Sequence, residues 1–84
     1  MILKNIVTAI SHELKLPVKF VTDNEIAING IRIYVSGHFV RTEKFSHRYY
    51  GTFQFLSVLN ENGVLRLNKS GMLEILKLYD ELTY

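Results

Sequence analysis

Glu25-Ile26-Ala27-Ile28-Asn29-Gly30-Ile31-Arg32-Ile33-Tyr34-Val35 is the stretch that decides how this chain folds. Asn-Gly is the preferred central pair of a two-residue type I′ hairpin, because both positions need positive φ. On either side of it, apolar and polar residues alternate with the period of a strand. In that register Ile28 faces Ile31 and Ile26 faces Ile33, so four isoleucines share one side. Glu25, Ala27, Arg32 and Tyr34 share the other. The first side is predicted to be core and the second to meet solvent.

Toward the C-terminus the alternation slips. Val35 and Val40 are an odd number of residues apart, so a straight strand would put them on opposite faces. A tight turn at Ser36-Gly37 restores the phase and pairs Val35 with His38, Ile33 with Val40, Tyr34 with Phe39 and Arg32 with Arg41. A bulge in one bent strand is the alternative. A four-residue loop, Lys44 to His47, then sets Glu43 opposite Arg48, Thr42 opposite Tyr49 and Arg41 opposite Tyr50. Arg48 through Leu59 continues as strand. Asn60-Glu61-Asn62-Gly63 is a turn cluster, and Val64 to Leu67 a short last strand. Ser70 is placed to cap a closing helix from Gly71 to about Leu82, with Met72, Ile75, Leu76, Tyr79 and Leu82 as its apolar stripe.

Toward the N-terminus, Val18 to Thr22 reads as a strand and Asp23-Asn24-Glu25 as the turn after it. Ile2 to Leu16 carries Leu3, Ile6, Val7, Ile10 and Leu14 at helical spacing, and Pro17 ends that helix by pushing its predecessor out of helical dihedrals. The expected fold is therefore α+β and a single domain over residues 1–84. It has an N-terminal helix, an antiparallel sheet of four to six strands and a C-terminal helix, with both helices on one sheet face.

Composition sets limits around this outline. The 84 residues include no Cys, so there is neither a disulfide framework nor a thiolate metal site. Lys4 and Asn5 interrupt the first apolar stretch and no small-residue cleavage site follows, which argues against a signal peptide. No apolar run approaches the roughly 18 residues of a membrane span. A cytoplasmic location without membrane contact is expected. The net charge of +2 is too mild to demand a polyanionic partner.

The registers gather two sets of side chains. Ile26, Ile28, Ile31, Ile33, Val35, His38, Val40, Tyr49, Phe53 and Phe55 belong under the helices. Arg32, Tyr34, Phe39, Arg41, Glu43, Arg48, Tyr50, Thr52 and Gln54 fall on the opposite face, where no third layer is expected. Rings offer stacking platforms for bases and guanidinium groups hold phosphates, the combination by which sheet surfaces bind single-stranded RNA. Tyr, Phe and Arg are equally the residues of protein hot spots, and cross-strand ring–Arg packing can simply cover a bare sheet. Lys44 and His47 add to the basic character of the segment from Phe39 to Tyr50.

Catalytic motifs are scarce. His12 has no metal-ligand spacing and reads as a surface histidine of the first helix. His38 and His47 would suit acid–base cleavage of RNA, but the register puts His38 on the core face and His47 in a loop. Five strand residues, about 17 Å, separate His38 from Glu43, too far to share one phosphate. The glycines form no phosphate loop and the serines no nucleophile elbow. No metal or cofactor is implied. The helix–strands–helix order is similar to that of double-stranded-RNA-binding domains. Those carry a lysine-rich start to their second helix, where Asn68-Lys69-Ser70-Gly71 supplies one lysine, so no family is identified.

The expectation is a small non-enzymatic regulatory protein, acting as a homodimer. It would contact RNA or single-stranded nucleic acid through Arg32, Arg41, Lys44 and Arg48, with Tyr34, Phe39 and Tyr50 as rings. The alternative is an inhibitor or regulator, of the kind phage and mobile elements carry, using the same face against a partner protein. A histidine-dependent ribonuclease is the remote alternative.

Overall fold

A computed structural model describes all 84 residues. In chain order the elements are helix α1 (Leu3–Glu13), strands β1 (Val18–Thr22), β2 (Glu25–Ile28), β3 (Ile31–Ser36), β4 (Phe39–Arg41) and β5 (Ser46–Arg48), and helices α2 (Thr52–Glu61) and α3 (Lys69–Thr83). The strands form one antiparallel meander in the order β1-β2-β3-β4-β5. The α+β architecture holds as expected, with a helix at each end of the sequence and a five-stranded sheet between.

The hairpin at Asn29-Gly30 has the expected register, Ile28↔Ile31 and Ile26↔Ile33. Both turn residues take positive φ, +50° at Asn29 and +82° at Gly30, which is why this pair fits. Ile26, Ile28, Ile33, Val35 and Val40 point to the helices and join Ile6 and Ile10 of α1, Phe55, Leu56 and Leu59 of α2, and Ile75 of α3 in one core. Fully burying an Ile or Leu side chain contributes roughly 1.5–3 kcal/mol, so this layer holds the fold together. Nineteen of the twenty buried residues are apolar and belong to it; the twentieth is Glu25, on the other side of the sheet.

Several expectations are corrected downstream. The β3–β4 turn sits at Gly37-His38, not Ser36-Gly37, with pairs Ser36↔Phe39, Val35↔Val40 and Tyr34↔Arg41. Gly37 takes φ +57°, so the glycine serves as the first of the two turn residues. His38 therefore sits in the turn and is exposed, rather than on the core face. The next turn spans Thr42 to Phe45, giving Phe39↔Arg48, Val40↔His47 and Arg41↔Ser46 in place of the expected pairs of Glu43, Thr42 and Arg41 with Arg48, Tyr49 and Tyr50. The Thr42 N–H donates to the Phe45 carbonyl at 2.9 Å, and Thr42 Oγ1 accepts from the Lys44 N–H at 3.1 Å.

The largest correction is α2. Arg48 to Leu59 is not one long strand: β5 ends at Arg48, Gly51 is the extended N-cap, and a helix follows. Phe55, Leu56, Val58 and Leu59 are buried at helical spacing, while Phe53 is exposed. Gln54 accepts from the Tyr50 N–H at 2.8 Å across the helix start. Asn62-Gly63 closes the helix in a Schellman motif, with Val64 N–H to Leu59 O at 2.9 Å and Gly63 N–H to Asn60 O at 3.2 Å. Gly63 supplies the φ of +78° that this stop requires.

Val64 to Leu67 runs as coil, not strand, although Val64 and Leu65 are buried. Asn60 holds it with two side-chain bonds to Leu67, Oδ1 accepting from its N–H at 2.9 Å and Nδ2 donating to its carbonyl at 3.0 Å. Asn68, not Ser70, caps α3, its Oδ1 accepting from the Gly71 N–H at 2.8 Å. At the other end α1 stops at Glu13, ahead of Leu16, with Leu14 already extended. α1 and α3 pack side by side, and the Ile2 N–H donates to the Tyr79 hydroxyl at 2.7 Å.

Candidate binding face and adjoining cavity

The sheet face away from the helices is built by alternation. β2 presents Glu25 and Ala27, β3 presents Arg32, Tyr34 and Ser36, β4 presents Phe39 and Arg41, and β5 presents Ser46 and Arg48. β1 adds Lys19, paired with Ala27, and Thr22, paired with Glu25.

Six of the seven expected site residues meet here. The Arg41 guanidinium lies over the Tyr34 ring at 5.0 Å, as their direct cross-strand pairing requires. Arg48 lies 5.2 Å from the Phe39 ring centre and 5.7 Å from that of Tyr50, so one guanidinium serves two rings. Tyr50 reaches Arg48 from the connection between β5 and α2, not from a strand as expected. The rings stay open to solvent, with Tyr34 38%, Phe39 48% and Tyr50 71% exposed. Lys44 is the seventh; it stands in the β4–β5 turn, apart from the stacks.

The cations differ in what they touch. Arg32 is committed within the protein: its Nε lies 2.6 Å from Glu25 Oε2, in the chain's only ion pair. That contact is charge against charge without an aligned hydrogen bond, and no other donor reaches Oε2. Glu25, expected in a turn and on the wet face, opens β2 on that face but is buried there. Its side chain is only 9% exposed while its partner Arg32 is 64% exposed, so the carboxylate lies within the surface layer beneath its neighbours. Arg41 and Arg48 have no carboxylate partner. Lys19 is a further cation of this face that sequence reasoning passed over, although the alternation Val18-Lys19-Phe20 carries the signal.

The two histidines weighed for catalysis each pack against a ring. The His38 ring packs edge-on to Tyr49 with 6.2 Å between centres, and His47 tilts against Phe45 at 5.6 Å. Tyr49 donates to the Gly37 carbonyl at 2.7 Å, and burial, with the neighbouring Tyr79 phenol second, raises its pKa above the ordinary 10.0. A small hollow of about 190 Å³ between α1 and α3 is lined by groups of both signs, His12, Glu13, Glu74, Lys77 and Glu81 among them.

A larger cavity of about 520 Å³ opens at the end of the sheet, between the β2–β3 turn, the β4–β5 turn and the C-terminus of α2. It arises because β4 stops pairing at Arg41, leaving Ile31 and Arg32 without a neighbour on that side. Ile31 faces the core side with the fully buried Ile28, yet it is 39% exposed, a departure from its expected place in the core.

Comparison with protein-family models, with curated proteins and with solved structures finds no match to this chain.

Proposed function

We propose that the open sheet face binds single-stranded nucleic acid, RNA above all. The observation that carries the reading is the pair of guanidinium–ring stacks, Arg41 on Tyr34 and Arg48 between Phe39 and Tyr50, on an uncovered face with no carboxylate bound to either arginine. A guanidinium already oriented by a ring keeps its N–H fork available for phosphate oxygens. The exposed ring edges and faces beside it suit unstacked bases, each worth about 1–3 kcal/mol when stacked. In this reading Arg41 and Arg48 are the phosphate ligands, Tyr34, Phe39 and Tyr50 the stacking platforms, and Arg32 a strut for Glu25 rather than a free ligand.

The test is a titration of a labelled single-stranded oligonucleotide at several salt concentrations. Binding is expected to fall log-linearly with salt, and Arg41→Glu combined with Arg48→Glu to abolish it while the thermal melt persists. The alanine pair should lower the salt slope by about 1.4, the share of two phosphates on a single strand. Unchanged affinity in the glutamate variant overturns the reading. Loss of a dimer on gel filtration in that variant, with no oligonucleotide binding in either protein, assigns the face to a second copy of the chain instead.

A further inference from the structure

The cavity at the end of the sheet opens directly beside this face. Its lining joins two environments: Arg32 and Tyr34 come from the open face, while Ile31 and Val64 come from the core side. Phe45, half-buried against the core, supplies an aromatic wall. Thr42, Glu43, Lys44 and Asn62 supply the polar rim, where the Glu43 carboxylate is balanced by the cations of Lys44 and Arg32. Such a space, with apolar and aromatic side chains on one part of its wall and polar or charged groups on the rest, has a volume within the roughly 300–1,000 Å³ of small-molecule sites and suits a flat ring with a hydrogen-bonding edge.

The rim is chemically specific. Asn62 gives its Nδ2 to the Val58 carbonyl at 2.8 Å, which leaves Oδ1 as an acceptor with no partner in the protein. Thr42 accepts the Lys44 N–H and retains its own hydroxyl proton to donate. The Lys44 ammonium has no ion-pair partner. Lys44 is also the expected nucleic-acid ligand that the ring stacks leave out, and the cavity gives it a place.

We infer that this cavity takes one unstacked nucleobase of the strand bound on the open face. The base lies between Ile31 and Phe45, a base amino group donates to Asn62 Oδ1, and Lys44 holds the adjoining phosphate. The inference rests on the nucleic-acid reading of the face. It adds to that reading a base-dependent component which the stacks alone do not require, since sequence-specific RNA recognition splays single bases into such sites.

The experiment uses the intact chain, isotope-labelled for amide NMR, with a cytidine octanucleotide and an octamer of the same charge lacking all of its bases. The cytidine octamer is expected to move the amides of Ile31, Phe45 and Val64 as well as those of Tyr34, Arg41 and Arg48. The base-deficient octamer should move only the second set and bind about tenfold more weakly. Lys44→Ala combined with Asn62→Ala, with an unchanged thermal melt as the check on folding, should bind the cytidine octamer about tenfold more weakly. Salt-dependent binding that leaves Ile31, Phe45 and Val64 unmoved overturns the pocket and spares the face. Absence of any octamer binding at low salt overturns both.

Discussion

The two faces of this sheet are held by different forces. On the inner face Ile26, Ile28, Ile33 and Val40 are wholly buried and are fixed by volume, in one core with the apolar residues of the three helices. On the outer face nothing covers the strands, and neighbours are arranged by charge and ring: Arg41 on Tyr34, Arg48 on Phe39 and Tyr50, Arg32 on Glu25. Interior contacts are dense, so every methylene counts there. Surface cation–π contacts contribute only about 0.5–1 kcal/mol each. The inner face thus holds the fold, and the outer face is free to change its chemistry without unfolding the domain.

The contrast can be broken most directly by truncating one phenylalanine in each environment. Phe55→Ala, beneath the sheet, should destabilise the protein by about 3–5 kcal/mol in chemical denaturation. Phe39→Ala, on the open face, should cost under about 1 kcal/mol. Equal losses would mean that the outer rings are structural. Arg32→Ala tests the one place where the outer face has an interior: it strands the Glu25 carboxylate, and a loss of about 1–3 kcal/mol is expected, most of it recovered by the further change Glu25→Gln.

Tyr49 joins the two layers, and it sharpens the comparison through pH. Its phenol has a higher pKa folded than unfolded, so the folded state retains the proton longer. That stabilisation is fully present below pH 10.0 and is lost as pH rises through the folded value. Tyr49→Phe should remove this alkaline slope and, by deleting the bond to Gly37, cost about 1 kcal/mol at neutral pH. The smallest effect lies wholly outside: a double-mutant cycle of Arg48→Ala and Phe39→Ala should give a coupling of about 0.5–1 kcal/mol.

The Asn29-Gly30 hairpin was legible because turn chemistry and alternation are both local and agree there. The next two turns were placed wrongly, yet the outer set still came together. The reason is parity. The β3–β4 pairing differs from the expected one by two residues and the β4–β5 pairing by four; an even shift keeps every side chain on its own face. His38 fails because it moved from a strand into the turn itself. The stretch after Arg48 misled for another reason: Tyr49, Gly51, Phe53 and Phe55 alternate like a strand, while Phe55, Leu56, Val58 and Leu59 repeat like a helix. Gly51 ahead of that stripe and Asn62-Gly63 behind it are start and stop signals that favour the helix. The cavity was beyond reading, because it depends on where β4 stops relative to β3, which no local pattern sets.

The clasp between α1 and α3 has a consequence for how the chain assembles. Ile2 and Tyr79 are separated by 77 positions, whereas each strand of the meander pairs with the one made just before it. During synthesis the strands emerge and can pair early, but the common core gains Met72, Ile75 and Tyr79 only when α3 leaves the ribosome. Until then a greasy surface stands open on the nascent sheet, and the window for sticking to a neighbour closes with the arrival of Tyr79.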